Sequence, residues 1–189
     1  MPFVFKNKVV LVRHGQTLWN LEKRTQGHLD SPLTGLGISQ AKETASKLQE
    51  YKFDLIISSP LGRALQTANL IAEELKISKI QTDPNLAERH LGVLQGCAKE
   101  ESLKKYPHFY GTNNKFIQCS DIPEAETLQE FLNRTGKAVE KISEISKANN
   151  VLVVTHDGVL HAIIGHVKSI DFGEVQKSYK FEHCEPVVL

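Results

Sequence analysis

Two short apolar runs, Val9-Val10-Leu11-Val12 and Val151-Leu152-Val153-Val154, constrain this chain more than any other feature. Runs of this kind, rich in β-branched residues, read as strands covered on both faces, because a strand with one wet face would alternate. Asp54-Leu55-Ile56-Ile57 is a third such run. Ile80-Gln81-Thr82 is a weaker fourth, stopped by Asp83-Pro84. Helical periodicity fills the intervals. Ile38, Ala41, Ala45 and Leu48 recur at helix spacing behind a cap at Thr34. Leu61, Ala64, Leu65, Ala68, Ile71, Ala72 and Leu75 form a fuller stripe, with Ser59 placed as N-cap and Pro60 in the first turn.

Further along, residues 98–106 read as a short charged helix ended by Pro107. Thr127 and Glu130 fit a capping box. Behind it, Leu128, Phe131, Leu132, Thr135, Ala138, Val139, Ile142 and Ile145 mark one face of a long helix. Residues 158–167 read as a mostly buried helix, and 186–189 as a last edge strand. Strands alternating with helices predict an α/β fold, with helices on both faces of a mainly parallel sheet. One domain over residues 1–189 is expected, with a substrate-specificity excursion at about 89–123, of which 106–123 is irregular.

Composition excludes several classes. The 23 basic and 22 acidic residues leave a formal charge of +1, so no general nucleic-acid footprint is expected and any anion site must be local. Cys97, Cys119 and Cys184 are far apart and suit free thiols. No signal peptide and no bilayer-spanning stretch is read, which gives a soluble, cytoplasmic protein with no membrane partner as the expectation. Oligomeric state is not readable. His156, His161 and His166 do not share a helix face, and no HExxH or Cys/His cluster is present, so no metal site and no cofactor are expected. The residues after Gly15 do not supply a GxGxxG dinucleotide fingerprint.

The functional crevice of such a sheet lies outside the carboxyl ends of its strands. Arg13-His14-Gly15 follows the first strand, Ser58-Ser59-Pro60-Leu61-Gly62-Arg63 the second, and Thr155-His156-Asp157-Gly158 the run at 151–154; Glu88 comes shortly after Ile80-Gln81-Thr82. Phosphoryl transfer to a side chain needs a neutral nucleophile, cations for the non-bridging oxygens and an acid for the departing oxygen. Arg suits the second task because its planar fork matches a phosphate. Arg13, His14, Arg63, Glu88 and His156 supply that set. Gly15 and Gly158 allow close backbone approach.

The stretch from Leu11 to Asn20, with Arg13-His14-Gly15 at its head, resembles the opening motif of the histidine phosphatase superfamily, in its phosphoglycerate-mutase-like branch. Asp30-Ser31-Pro32-Leu33-Thr34, Ser58 to Ala68, Leu86 to Gly96, Glu126-Thr127 and Val154 to Gly158 are similar to later motifs of that family, in its order and over nearly the whole chain. The resemblance implies a three-layer α/β/α sandwich and metal-independent hydrolysis of a small phosphorylated metabolite. It implies His14 as the phosphorylated nucleophile, with Arg13, Arg63 and His156 forming the phosphate pocket. Asn20, Gln26 and Gly27 would line that pocket, and Glu88 would be the proton donor and later the base. Arg89 and Lys99 match positions that suit a small anionic substrate. Within the excursion at 89–123, where substrate specificity is expected, Tyr110, Lys115 and Phe116 either line the site or face solvent.

A phosphoglycerate mutase is the alternative enzyme. Leu91 stands where the mutases usually carry an aromatic residue, no adjacent Arg pair follows Glu88, and the chain ends at Leu189; these departures favour hydrolysis. A phospho-ligand-binding module without catalysis would lack the nucleophile or the acid, and both are present.

Overall fold

The computed structural model describes residues 3, 5–110 and 122–189. In chain order the elements are β1 (Val9–Arg13), α1 (Leu18–Leu21), α2 (Gly35–Lys47), β2 (Leu55–Ser58), α3 (Gly62–Leu75), β3 (Ile80–Thr82), α4 (Lys99–Lys105), α5 (Leu128–Ile145), β4 (Val151–Thr155), α6 (Asp157–Lys168), α7 (Phe172–Ser178) and β5 (Val187–Val188). The strands lie in the order β3-β2-β4-β1-β5. All pairs are parallel except β1 with β5, which is antiparallel.

The apolar runs are covered on both sides. Val9, Leu11, Leu55, Ile57, Val151 and Val153 pack with Phe131, Val139 and Ile142 of α5 and Leu160 and Ile163 of α6. Val10, Val12, Ile56, Leu152 and Val154 face the other way, onto Ala41 and Ala45 of α2 and Ala64, Ala68 and Ile71 of α3. These two cores, one on each face of the sheet, make the three-layer α/β/α sandwich. The small alanines of α2 and α3 bring both helices close to the sheet, where β-branched side chains fill the remaining space. Gly37 in α2 is required to be small, since a Cβ there would lie 2.1 Å from the carbonyl oxygen of Gln16.

Register sets the working edge of the sheet. Arg13 pairs with Thr155, and Ser58 with Val154. The hydrogen bonds continue one residue past the strands, from the His14 N–H to the Thr155 carbonyl and from the Ser59 N–H to the Val154 carbonyl, each 2.9 Å. His14, Ser59 and His156 therefore leave the sheet side by side.

One expected cap is different. The N-cap of α3 is Leu61, without a side-chain cap bond, and the helix begins at Gly62. Ser59 lies further back and is turned elsewhere. The caps at Thr34 and Thr127 are as expected, the latter as a full capping box. Helices α1 and α7 carry no strong apolar stripe and were not legible. Both are short, and their side-chain caps, Thr17 and Asp171, stabilise them locally. Much of the irregular excursion, with Lys115, Phe116 and Cys119, lies outside the described residues. Cys97 and Cys184 are free thiols. No helix among the described residues is long and apolar enough to cross a membrane.

Candidate active site

His14 is buried at the tip of β1. Its Nδ1 lies 2.8 Å from the Gly15 carbonyl oxygen, which can only accept. Arg63 Nε donates to its Nε2 at 3.3 Å. Both contacts require the proton on Nδ1 and the lone pair on Nε2. Burial, reinforced by Arg63, holds the His14 pKa well below the ordinary histidine value, so the ring is neutral. The product is an uncharged imidazole with a fixed tautomer.

Arg63 reaches His14 from the first turn of α3 and is almost fully buried. Its Nη1 donates to the Leu29 carbonyl at 2.9 Å and to Asp30 Oδ1 at 3.1 Å, and its Nη2 to the Gly27 carbonyl at 2.8 Å. Asp30 Oδ1 also accepts the Arg63 backbone N–H at 3.2 Å. A carboxylate from a distant loop thus occupies the N-terminus of α3, where the first N–H groups lack intrahelical partners. Arg13 points across the strand tip. Its Nη1 meets the Phe181 carbonyl at 2.8 Å and Asp157 Oδ1 at 3.2 Å.

His156 follows β4 and is fully buried, with Nε2 2.7 Å from Ser59 Oγ. Its ring centroid is 5.2 Å from that of His14. Burial and then Arg63 push its pKa well down, so it too is neutral. Two nitrogens in this cluster are buried without a hydrogen-bond partner among the described residues: Arg13 Nε and His156 Nδ1. Buried donors are rarely left unmatched in protein interiors.

Glu88 enters from the loop after the short 3-10 helix Pro84–Leu86. Oε1 accepts the Arg89 N–H at 3.0 Å and Oε2 the Gly158 N–H at 3.3 Å. The carboxyl therefore caps α6 from outside, much as Asp30 caps α3. Burial raises its pKa; the Arg89 N–H and the Arg63 charge oppose that rise without cancelling it. Gly158 makes the approach possible, since a Cβ there would lie 2.5 Å from Oε1.

The remaining predicted residues divide. Gly27 joins the cluster through its carbonyl. Gln26 beside it is buried, with Oε1 unpartnered among the described residues. Asn20 is drawn into the cap of α1, where its Oδ1 accepts from the Thr17 N–H and hydroxyl, both at 3.0 Å. Arg89 is buried and donates through Nε to the Glu126 carbonyl at 3.0 Å. Lys99 lines a cavity of about 430 Å³ together with Lys23, Arg24, Leu91, Leu94 and Tyr110.

Several residues had no assigned part. Arg134 of α5 donates to the carbonyls of Asn85, Ala87 and Glu88 and to both Glu126 oxygens, fixing the Glu88 loop. His183 donates through Nδ1 to the His14 carbonyl at 2.8 Å, and its ring lies 5.4 Å from that of His14. Thr67 Oγ1 accepts the Gly15 N–H at 3.1 Å. Apart from Arg134 with Glu126, eight residues away, these pairings join segments far apart in the chain, and sequence spacing carries no mark of them.

The family model for the histidine phosphatase superfamily (branch 1) matches residues 9–188. The chain belongs to that superfamily. Within it, the chain is 38% identical over 158 residues to Phosphoglycerate mutase-like protein 4 of Arabidopsis thaliana, covering 82% of this chain and 69% of that one. It is 35% identical over 176 residues to PhoE of Bacillus subtilis (strain 168), named an uncharacterized phosphatase, covering 93% and 84%. The alpha-ribazole phosphatase of Shigella flexneri superposes with a TM-score of 0.84 at 26% identity, covering 96% of this chain and 89% of that one. This histidine phosphatase thus shares fold and family with proteins named for phosphate-ester hydrolysis and for mutase likeness.

Proposed function

We propose that the protein hydrolyses small phosphorylated metabolites through a phosphohistidine on His14, with no metal ion. The observation that carries this reading is the pair of unmatched buried nitrogens, Arg13 Nε and His156 Nδ1, in the same cluster as an imidazole whose lone pair is on Nε2, where the Arg63 Nε–H meets it. A phosphoryl group on that nitrogen presents oxygens to both donors and to Arg63.

The reaction then follows from the charges. The Nε2 lone pair attacks phosphorus as the bond to the leaving oxygen breaks. Arg13, Arg63 and His156 hold the non-bridging oxygens as charge redistributes. Glu88, whose pKa burial raises above the ordinary carboxyl value, gives its proton to the leaving oxygen from its protonated form. In the second step the Glu88 carboxylate takes a proton from water, the water oxygen bonds to phosphorus, and the phosphorus–nitrogen bond breaks. Inorganic phosphate leaves and both side chains return to their starting states. The arginines supply the positive charge that a metal ion supplies in other phosphatases. Asn20, Gln26, Gly27, Arg89 and Lys99 are proposed to contact substrate around this centre.

Likeness to a mutase-named relative supports a second reading, in which the phosphoryl group returns to another hydroxyl of the same substrate. The absence of an adjacent Arg pair after Glu88 weighs against it. Incubation with 3-phosphoglycerate separates the two: phosphate release supports hydrolysis, and isomer conversion without release supports the mutase. For the phosphohistidine itself, brief reaction with a labelled aryl phosphate is expected to leave an acid-labile label on wild-type protein and none on His14→Ala. Turnover by His14→Ala at a substantial fraction of the wild-type rate would overturn the assignment.

A further inference from the structure

Ser59 is fully buried, and its Oγ accepts the Leu61 N–H at 3.2 Å. Among the described residues its hydroxyl hydrogen has one acceptor in reach, Nε2 of His156 at 2.7 Å. Were His156 protonated on Nε2, that nitrogen would become a second donor to Oγ. The buried hydroxyl hydrogen would then have no acceptor, which is the costly arrangement for a buried polar group. The hydroxyl hydrogen therefore goes to Nε2, and the ring proton goes to Nδ1.

We propose that Ser59 is the positioning residue that sets the tautomer of His156, so that Nδ1 faces the phosphoryl site as an N–H donor and not as a lone pair. The inference rests on the phosphohistidine reading only for what that donor is used for. Its consequence is a pair of histidines with opposite assignments. The Gly15 carbonyl holds the proton of His14 on Nδ1 and exposes a lone pair at Nε2. Ser59 holds a lone pair on Nε2 of His156 and exposes a proton at Nδ1. One ring is thereby made a nucleophile and its neighbour a donor, although both are neutral and buried. A lone pair at Nδ1 would instead meet a phosphoryl oxygen with repulsion. Ser59 does not cap α3, because the helix begins at Gly62 with Leu61 at the N-cap position and the carboxylate of Asp30 takes the Arg63 N–H.

The test is the tautomer itself, read by long-range proton–nitrogen correlation NMR on the nitrogen-15-labelled full chain, without ligand and with inorganic phosphate. His156→Gln assigns the resonances. Wild-type protein is expected to show His156 unprotonated at Nε2 and protonated at Nδ1. Ser59→Ala is expected to move it toward the opposite tautomer, and aryl-phosphate turnover is expected to fall roughly ten- to a hundredfold, the scale of one lost buried hydrogen bond. Ser59→Thr, which keeps the hydroxyl, is expected to restore both. Protonation at Nε2 in the wild type overturns the proposal even if every variant misfolds. An unchanged tautomer in folded Ser59→Ala overturns it as well. Failure of the phosphohistidine reading would appear in the labelling of His14, which this measurement does not use.

Discussion

Arg63 Nε donates to His14 Nε2 at 3.3 Å, so the proposed nucleophile rests against the cation that would receive charge once it has attacked. Three of the four remaining guanidinium hydrogens are directed to Gly27, Leu29 and Asp30, which fixes the aim of the Nε–H. Arg63→Lys keeps the charge but offers one point in place of a fork. Its kcat/KM is expected to fall roughly a hundred- to a thousandfold, as for loss of a charge-stabilising donor. The carbonyls of Gly27 and Leu29 lose donors, so urea unfolding should show a loss of about 1–3 kcal/mol. A lysine variant with wild-type kcat/KM would contradict the geometric role.

Glu88 and His14 predict the pH profile. Burial holds the Glu88 pKa above the ordinary carboxyl value and the His14 pKa well below the ordinary imidazole value. Attack needs Glu88 protonated and His14 neutral. Accordingly kcat/KM should fall on the alkaline side as Glu88 ionises and on the acidic side as His14 takes a proton. Glu88→Gln should abolish the alkaline limb and lower the rate on an alkyl phosphate by roughly a hundred- to ten-thousandfold. The loss on p-nitrophenyl phosphate should be smaller, because that leaving group departs without a proton.

A methyl group at position 158 should reproduce much of the Glu88 defect. Its Cβ would lie 2.5 Å from Oε1 and displace the carboxyl from the α6 N-terminus. In Gly158→Ala, alkyl-phosphate turnover should suffer more than p-nitrophenyl-phosphate turnover, with phosphohistidine formation retained on the activated ester. Equal losses on both substrates would place the damage elsewhere.

Arg134→Met removes the hold on the Glu88 loop and leaves Glu126 without its partner. Side-chain exposures of 17% and 15% make this pair partly wet, so the expected loss is about 2 kcal/mol, below the figure of about 3–5 for a fully buried pair. Adding Glu126→Gln should recover part of that loss, because no uncompensated charge remains. Denaturant titrations of the single and double variants check both statements.

Stability should carry the same electrostatics with opposite signs on its two sides. His14 and His156 have folded pKa values well below the ordinary 6.5, so the unfolded chain binds more protons as pH falls. Their contribution is complete above about 6.5 and is lost as pH falls toward the folded values. Glu88 has a folded value raised from 4.5, so its contribution is complete at low pH and is lost as pH rises through the raised value. Thermal melting should show Glu88→Gln gaining Tm at neutral pH and losing that gain in acid.

Much of the molecule was legible because the relevant signals are local. The apolar runs at 9–12 and 151–154, the capping box at Thr127 and the stripes of α2, α3 and α5 each follow from a repeat a few residues long. The weak cases fail for the same reason: α1 and α7 are too short for a periodic stripe. Asn20 matched a motif, and yet its carboxamide oxygen is engaged by Thr17. A motif specifies residue type, and hydrogen-bond choice depends on which donor stands nearest.

The sequence by itself determined the strands, the layers around them and the placement of Arg13, His14, Ser59 and His156 at strand tips, since buried β-branched runs and helical stripes impose those elements. The tertiary structure alone decided which nitrogen of each histidine carries its proton, which acid caps which helix, and that Arg134 holds the loop of Glu88. Those choices belong to single donors and acceptors brought within about 3 Å by strand register. Except for the Gly15 carbonyl beside His14, the partners lie far apart along the chain, and no sequence pattern encodes their distance.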